Sequence, residues 1–170
     1  MTEYISHNLE ETSAIAQKVL DTGARVIALR GDLGAGKTAL TKCIAVLLGI
    51  TETVTSPTFV IMKKYKTPLP PITADSPQGE KLEQRDFKAN VSSFEGGAEA
   101  LRGGGCLIHI DAYRIQSEHE LDVLNLNELL KDQNNLIIIE WPEQTMKILP
   151  PETLIIQCDF VDEMTRKYTF

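Results

Sequence analysis

The chain has 170 residues, 42% of them apolar and 24% charged, a balance that supports a single hydrophobic core and excludes a fibrous or disordered polymer. Its formal net charge of −7 argues against a protein that grips DNA or RNA by itself, because neutralising phosphates needs a basic face. Cys43, Cys106 and Cys158 have neither disulfide nor zinc-ligand spacing, no apolar run reaches the length of a membrane span, and Met1-Thr2-Glu3-Tyr4 has no leader-peptide pattern, so a reducing, cytoplasmic setting is expected.

Tyr4-Ile5-Ser6 predicts a short edge strand. Asn8 then stands as N-cap ahead of Glu10 and Glu11, with Ala14, Ile15, Ala16, Val19 and Leu20 at helical spacing and Gly23 placed to stop the helix. Arg25 to Arg30 predicts a buried strand, and Thr38 to Leu48 a helix closed by Gly49. Between them lies Gly31-Asp32-Leu33-Gly34-Ala35-Gly36-Lys37-Thr38, which fits G-x-x-x-x-G-K-[ST] in the strand–loop–helix setting that this phosphate-binding loop requires. A bare glycine-rich turn would not need Lys-Thr directly after its last glycine.

Thr55-Ser56-Pro57-Thr58 is polar and Pro-kinked, and it fits either a plain connection or a loop in which Thr58 senses a γ-phosphate; Thr58 to Tyr65 predicts a strand. The stretch 66–105 differs in character, with Pro68, Pro70, Pro71 and Pro77, a charged run at 80–86, and glycines at 96–97 and 103–105. It reads as a long insertion on a hairpin, with one short helix possible at 95–102. Cys106 to Asp111 is an apolar strand ending in an acid. Ser117 caps a helix continued by Leu121-Asp122-Val123-Leu124, and Leu126 to Leu130 is further helix. Leu136 to Glu140 repeats the pattern of strand ending in acid, and Trp141-Pro142-Glu143 stops it. After Pro150-Pro151, Thr153 to Phe160 and Arg166 to Phe170 predict two antiparallel strands about a turn at 162–164.

Together these elements predict an α/β P-loop fold: three layers, α/β/α, with a mostly parallel sheet extended by antiparallel strands and a C-terminal hairpin, all in one domain carrying the insertion. The loop glycines allow the backbone N–H groups of Asp32, Leu33, Gly34, Ala35, Gly36, Lys37, Thr38 and Ala39 to converge on an anion at a helix N-terminus. Lys37 would reach the β- and γ-phosphates and Thr38 would bind Mg²⁺. A second Mg²⁺ contact needs a strand-end acid, for which Asp111 and Glu140 both qualify, one serving the metal while the other handles the attacking water. His109 shares a strand face with Asp111, and with no third ligand evident it reads as a core or hydrogen-bonded histidine. His7 and His119 read as surface residues, and Cys43 and Cys158 as core.

Four motifs in series, Gly-Asp-Leu-Gly-Ala-Gly-Lys-Thr at 31–38, Ser-Pro-Thr-Phe at 56–59, His-Ile-Asp-Ala-Tyr-Arg at 109–114 and Glu-Trp-Pro-Glu at 140–143, closely resemble the bacterial TsaE (YjeE) family. The resemblance implies an ATPase component for making N6-threonylcarbamoyladenosine at adenosine 37 of tRNAs that read ANN codons. It implies ATP and Mg²⁺ as cofactors, Thr38 and Glu140 as the metal-contacting pair, Asp111 as an essential strand-end acid, and Ser56-Pro57-Thr58 as a switch-like loop. Trp141 matches the tryptophan beside the metal-site glutamate. The implied partners are TsaD, which transfers the group to tRNA, and its paralogue TsaB, with ATP hydrolysis resetting that pair and tRNA met only through it. The insertion at 66–105 is longer than the hairpin usual in the family. Set against this reading are a small-molecule kinase, although the only arginines of the insertion are Arg85 and Arg102, and a scaffold that binds ATP without hydrolysing it. A GTPase is disfavoured because no Asn-Lys-x-Asp stretch occurs.

Overall fold

The computed structural model describes residues 1–57, 60–67, 105–115, 120 and 124–170. Seven strands form one mixed sheet in the order β1-β7-β6-β2-β5-β4-β3. They are β1 (Glu3–Ser6), β2 (Val26–Arg30), β3 (Met62–Lys66), β4 (Cys106–Asp111), β5 (Asn135–Glu140), β6 (Leu154–Phe160) and β7 (Arg166–Thr169). Strands β6, β2, β5 and β4 run parallel to one another. Antiparallel pairing of β3 with β4, of β7 with β6, and of β1 with β7 extends both sides. The expected mostly parallel sheet with antiparallel additions and a C-terminal hairpin is therefore what forms.

Among the described residues the helices are α1 (Leu9–Asp21), α2 (Lys37–Leu47) and α3 (Leu126–Lys131). Helix α1 starts where the sequence predicts. The Asn8 side chain accepts from the Glu11 N–H at 2.9 Å, and the Glu11 carboxylate accepts from the His7 N–H at 2.8 Å, so exposed N-terminal donors are satisfied reciprocally. It ends at Thr22, followed by Gly23 in the left-handed region at φ 71°.

Two apolar clusters sandwich the sheet. Helices α1 and α2 cover one face through Ile15, Val19, Leu40 and Ile44, against Ile27, Leu29, Ile138 and Ile156. Helix α3 covers the other through Leu126 and Leu129, against Ile108, Ile110, Ile137 and Ile139. Every residue of β5 is buried, as a continuous apolar run flanked by parallel strands on both sides demands. Cys43 and Cys158 are buried, as expected of core residues.

One strand boundary differs from the sequence reading by more than a residue. Strand β3 begins at Met62, and Val60 and Ile61, which the expected strand included, lie outside it. The Val60 and Ile61 N–H groups both donate to the Pro57 carbonyl, at 2.8 and 2.6 Å, and Ile61 sits at φ 65°. That turn consumes the backbone groups a strand would need, so extension is delayed until it is complete. Thr58 and Phe59, the insertion at 68–104, and the cap and most of the helix expected at 117–124 lie outside the described residues.

Candidate functional site

The site gathers at the carboxyl ends of the parallel strands, where loop residues rest on a rigid sheet. β2 ends at Arg30 and the chain turns at once into the glycine-rich loop. Gly31 is dictated by closeness: a Cβ there would lie 1.9 Å from the Cys158 carbonyl oxygen on β6. Gly36, at φ 92°, is the N-cap residue of α2, and a Cβ on it would meet the Tyr168 hydroxyl at 2.5 Å. No side chain caps α2, so its first-turn N–H groups and the positive end of its dipole face the loop.

Lys37 is the first residue of α2 and is 5% exposed. Its ammonium donates to the Gly31 carbonyl at 2.7 Å and the Asp32 carbonyl at 2.8 Å, and lies 3.8 Å from the centre of the Trp141 ring. Burial pulls its pKa below the usual lysine value, and the Glu140 carboxylate opposes that shift. Trp141 reaches this position because it adopts left-handed backbone angles, φ 57° and ψ 58°, before the 3₁₀ turn Pro142–Gln144. A non-glycine residue held there costs about 1–3 kcal/mol unless its surroundings impose it. Here the Trp141 N–H donates to the Leu29 carbonyl at 3.2 Å, and its ring lies tilted against Tyr113 at 5.1 Å.

The two strand-end acids are register partners, Asp111 on β4 beside Glu140 on β5. Glu140 is 2% exposed; its Oε2 accepts from the Thr38 hydroxyl at 3.0 Å and its Oε1 lies 2.7 Å from His109 Nε2. Thr38 Oγ1 and Glu140 Oε2 are hard oxygen donors of the kind Mg²⁺ takes. Asp111 is 3% exposed; its Oδ2 accepts from the Ser56 hydroxyl at 3.1 Å and its Oδ1 from the Tyr113 N–H at 3.1 Å. Ser56 of the predicted switch segment is thus tied to the second acid, whereas Thr58 lies outside the described residues. His109 is a buried, hydrogen-bonded histidine, as the sequence suggested.

Other contacts could not be foreseen from motifs. Arg166 Nε donates to the Gly34 carbonyl at 2.8 Å and the Tyr168 hydroxyl to the Gly36 carbonyl at 3.4 Å, so β7 braces the loop from the far end of the chain. A cleft of about 450 Å³ opens over the loop, Lys37, Asp111 and Glu140, and continues between Asn8 and Met164. That volume is in the range of small-ligand sites.

A family model for "Threonylcarbamoyl adenosine biosynthesis protein TsaE" matches residues 6–75 and 91–168. The chain belongs to the TsaE family. The interval between the two matched segments, 76–90, falls inside the long stretch singled out in the sequence. The chain is similar to the tRNA threonylcarbamoyladenosine biosynthesis protein TsaE of Bacillus subtilis, 34% identical over 166 residues, covering 96% of this chain and 80% of that protein. It is also similar to the TsaE protein of Borreliella burgdorferi, 30% identical over 130 residues, covering 76% of this chain and 69% of that one. Among solved structures, the crystal structure of Bacillus subtilis YdiB superposes with a TM-score of 0.60 at 28% identity, over 98% of this chain and 82% of that chain. Among the described residues no helix is long and apolar enough to cross a membrane.

Proposed function

We propose that this member of the TsaE family is a cytoplasmic, Mg²⁺-dependent ATPase that serves threonylcarbamoylation of tRNA, acting through TsaD and TsaB rather than by holding tRNA itself. The observation that carries the nucleotide reading is the convergence of Lys37, the uncapped N-terminus of α2 and the Thr38–Glu140 pair on one cleft. An anion there would meet backbone N–H donors, a helix dipole and an ammonium already positioned beside the loop. The acidic net charge supports leaving tRNA to partners.

Among the described residues no group of three or more His, Cys, Asp or Glu side chains makes a metal cage. That fits a cation held mainly by phosphate and water, with Thr38 and Glu140 as its protein donors. When bound, Mg²⁺ neutralises charge on the transferring phosphoryl group. Lys37 contributes the same kind of electrostatic stabilisation, Asp111 orients and deprotonates the attacking water, and Trp141 closes the loop side of the cleft.

The test is ATP hydrolysis by the purified protein, alone and with the TsaD–TsaB pair added. Weak turnover that the pair strongly stimulates is the expected result. Binding of ATP without stimulation would point to another partner. ATP binding with no turnover under either condition would favour the non-hydrolytic scaffold.

A further inference from the structure

His109 is fully buried on β4, and the nucleotide reading gives it no task. Toward the core its neighbours on that face are apolar, Leu107 two residues back on the same strand and Ile138 as register partner on β5, while Lys63 is its partner on the β3 side. A hydrocarbon side chain would suit that packing, whereas an imidazole brings two polar nitrogens that are costly to bury unless hydrogen-bonded. Only one is satisfied. Nε2 lies 2.7 Å from Glu140 Oε1, and Nδ1 is buried with no hydrogen-bond partner. A carboxylate oxygen accepts, so Nε2–H is the donor in this contact. The polar ring therefore makes one contact, and that contact is with the acid at the mouth of the cleft.

The two oxygens of Glu140 are thereby divided. His109, on the neighbouring strand, holds Oε1 from behind, and Thr38, on α2, donates to Oε2 from the loop side. We propose that His109 is a positioning residue for the cation site: its Nε2–H fixes the Glu140 carboxylate so that Oε2 is the oxygen presented beside Thr38. The inference rests on the reading of Thr38 and Glu140 as cation donors. Hydrogen bonds that orient a ligating carboxylate influence metal affinity even though they never touch the ion.

The test uses His109→Phe, which keeps a ring and removes the donor, and His109→Gln, which restores an N–H donor at similar reach. ADP binding is measured by calorimetry in EDTA, and Mn²⁺ binding to the protein–ADP complex by electron paramagnetic resonance. His109→Phe is expected to weaken Mn²⁺ affinity about 10–100-fold while metal-free ADP affinity stays within about 2-fold of the parent, with His109→Gln recovering most of the loss. Unchanged Mn²⁺ affinity in His109→Phe, alongside weakened affinity in Glu140→Ala, would overturn the positioning role and leave the cation site standing. Unchanged affinity in Glu140→Ala as well would overturn the cation reading, and this inference with it. Equal loss of metal-free ADP binding and Mn²⁺ binding in His109→Phe would make the histidine a packing residue only. A further measurement needs no substitution. In ¹⁵N-histidine-labelled parent protein the His109 Nε2–H signal should move when Mg²⁺ is added to the ADP complex, and indifference to Mg²⁺ would overturn the proposal.

Discussion

Glu140 and Asp111 end adjacent parallel strands at the same register, but the groups that hold them come from different kinds of structure. Glu140 is clasped between His109, inside β4, and Thr38, in the first turn of α2. Both partners sit on regular elements packed into the apolar layer, so their positions are set by the core. Asp111 is held by Ser56 and by the Tyr113 backbone, both in connecting segments. Ser56 precedes the turn in which Pro57 accepts from Val60 and Ile61, and that turn leads into an edge strand. One carboxylate is held from regular elements, and the contacts described for the other come from connecting segments. Two strands with the same apolar-run-then-acid pattern thus end in acids held by different kinds of structure.

Substitutions should separate the two acids. Asp111→Asn keeps the size and the acceptor on which Ser56 depends but removes the base. We expect turnover to fall about 100-fold or more with nucleotide affinity changed less than about 3-fold; a parallel loss of affinity in calorimetry would mean that the two acids do not differ as described. Lys37→Ala acts on the scaffold side, removing an ammonium that already lies beside the loop carbonyls. Loss of charge-assisted contacts to phosphate predicts about 100-fold weaker ATP binding, or ~3 kcal/mol, and unchanged affinity would refute the assignment.

Glu140→Ala should spare metal-free nucleotide binding and raise the Mg²⁺ needed for half-maximal ATPase activity about 10–100-fold. An unaltered magnesium titration would remove Glu140 from the cation site. Ser56→Ala is the mildest of the set. Losing one hydrogen bond of about 1 kcal/mol should speed amide exchange at Thr55 and Ser56 while leaving β5 unaffected. Equal protection in both proteins would show that the tether to Asp111 does not hold that segment.

Behind the loop, burial pushes the Cys158 thiol and the Tyr168 hydroxyl up to about 12 each. Both groups stay neutral in the folded chain at pH values where the unfolded chain ionises, so the folded state binds more protons and stability falls as pH rises. The loss should begin near the ordinary thiol value of about 8.5 and continue to about 12, and Cys158→Ala should flatten it in denaturant melts. Identical pH dependence in the parent and Cys158→Ala would contradict the burial of that thiol against the loop.

Much of the molecule was legible in local patterns. The glycine loop between an apolar strand and a helix, the Asn8 cap and the strands ending in Asp111 and Glu140 are each written within a few residues, and local sequence dictates them through backbone sterics, capping and periodicity. Side-chain chemistry likewise marked Lys37, Thr38 and the two acids before any fold was known. What the sequence did not reveal depends on segments distant in the chain. Thr38 meets Glu140 across 102 positions, Arg166 braces Gly34 across 132, and His109 reaches Glu140 on a neighbouring strand. The left-handed turn at Trp141 is of the same kind, since a hydrogen bond to Leu29 overrides local preference there, whereas the late start of β3 is set locally by the hydrogen bonds of Val60 and Ile61 to Pro57. Sequence alone marked the glycine loop, Lys37, Thr38 and the two strand-end acids of the cleft, and missed Arg166 and Tyr168. Strand order and register, set by burial of both faces of the sheet, decided which groups touch, and so held Glu140 from regular elements and Asp111 from connecting segments.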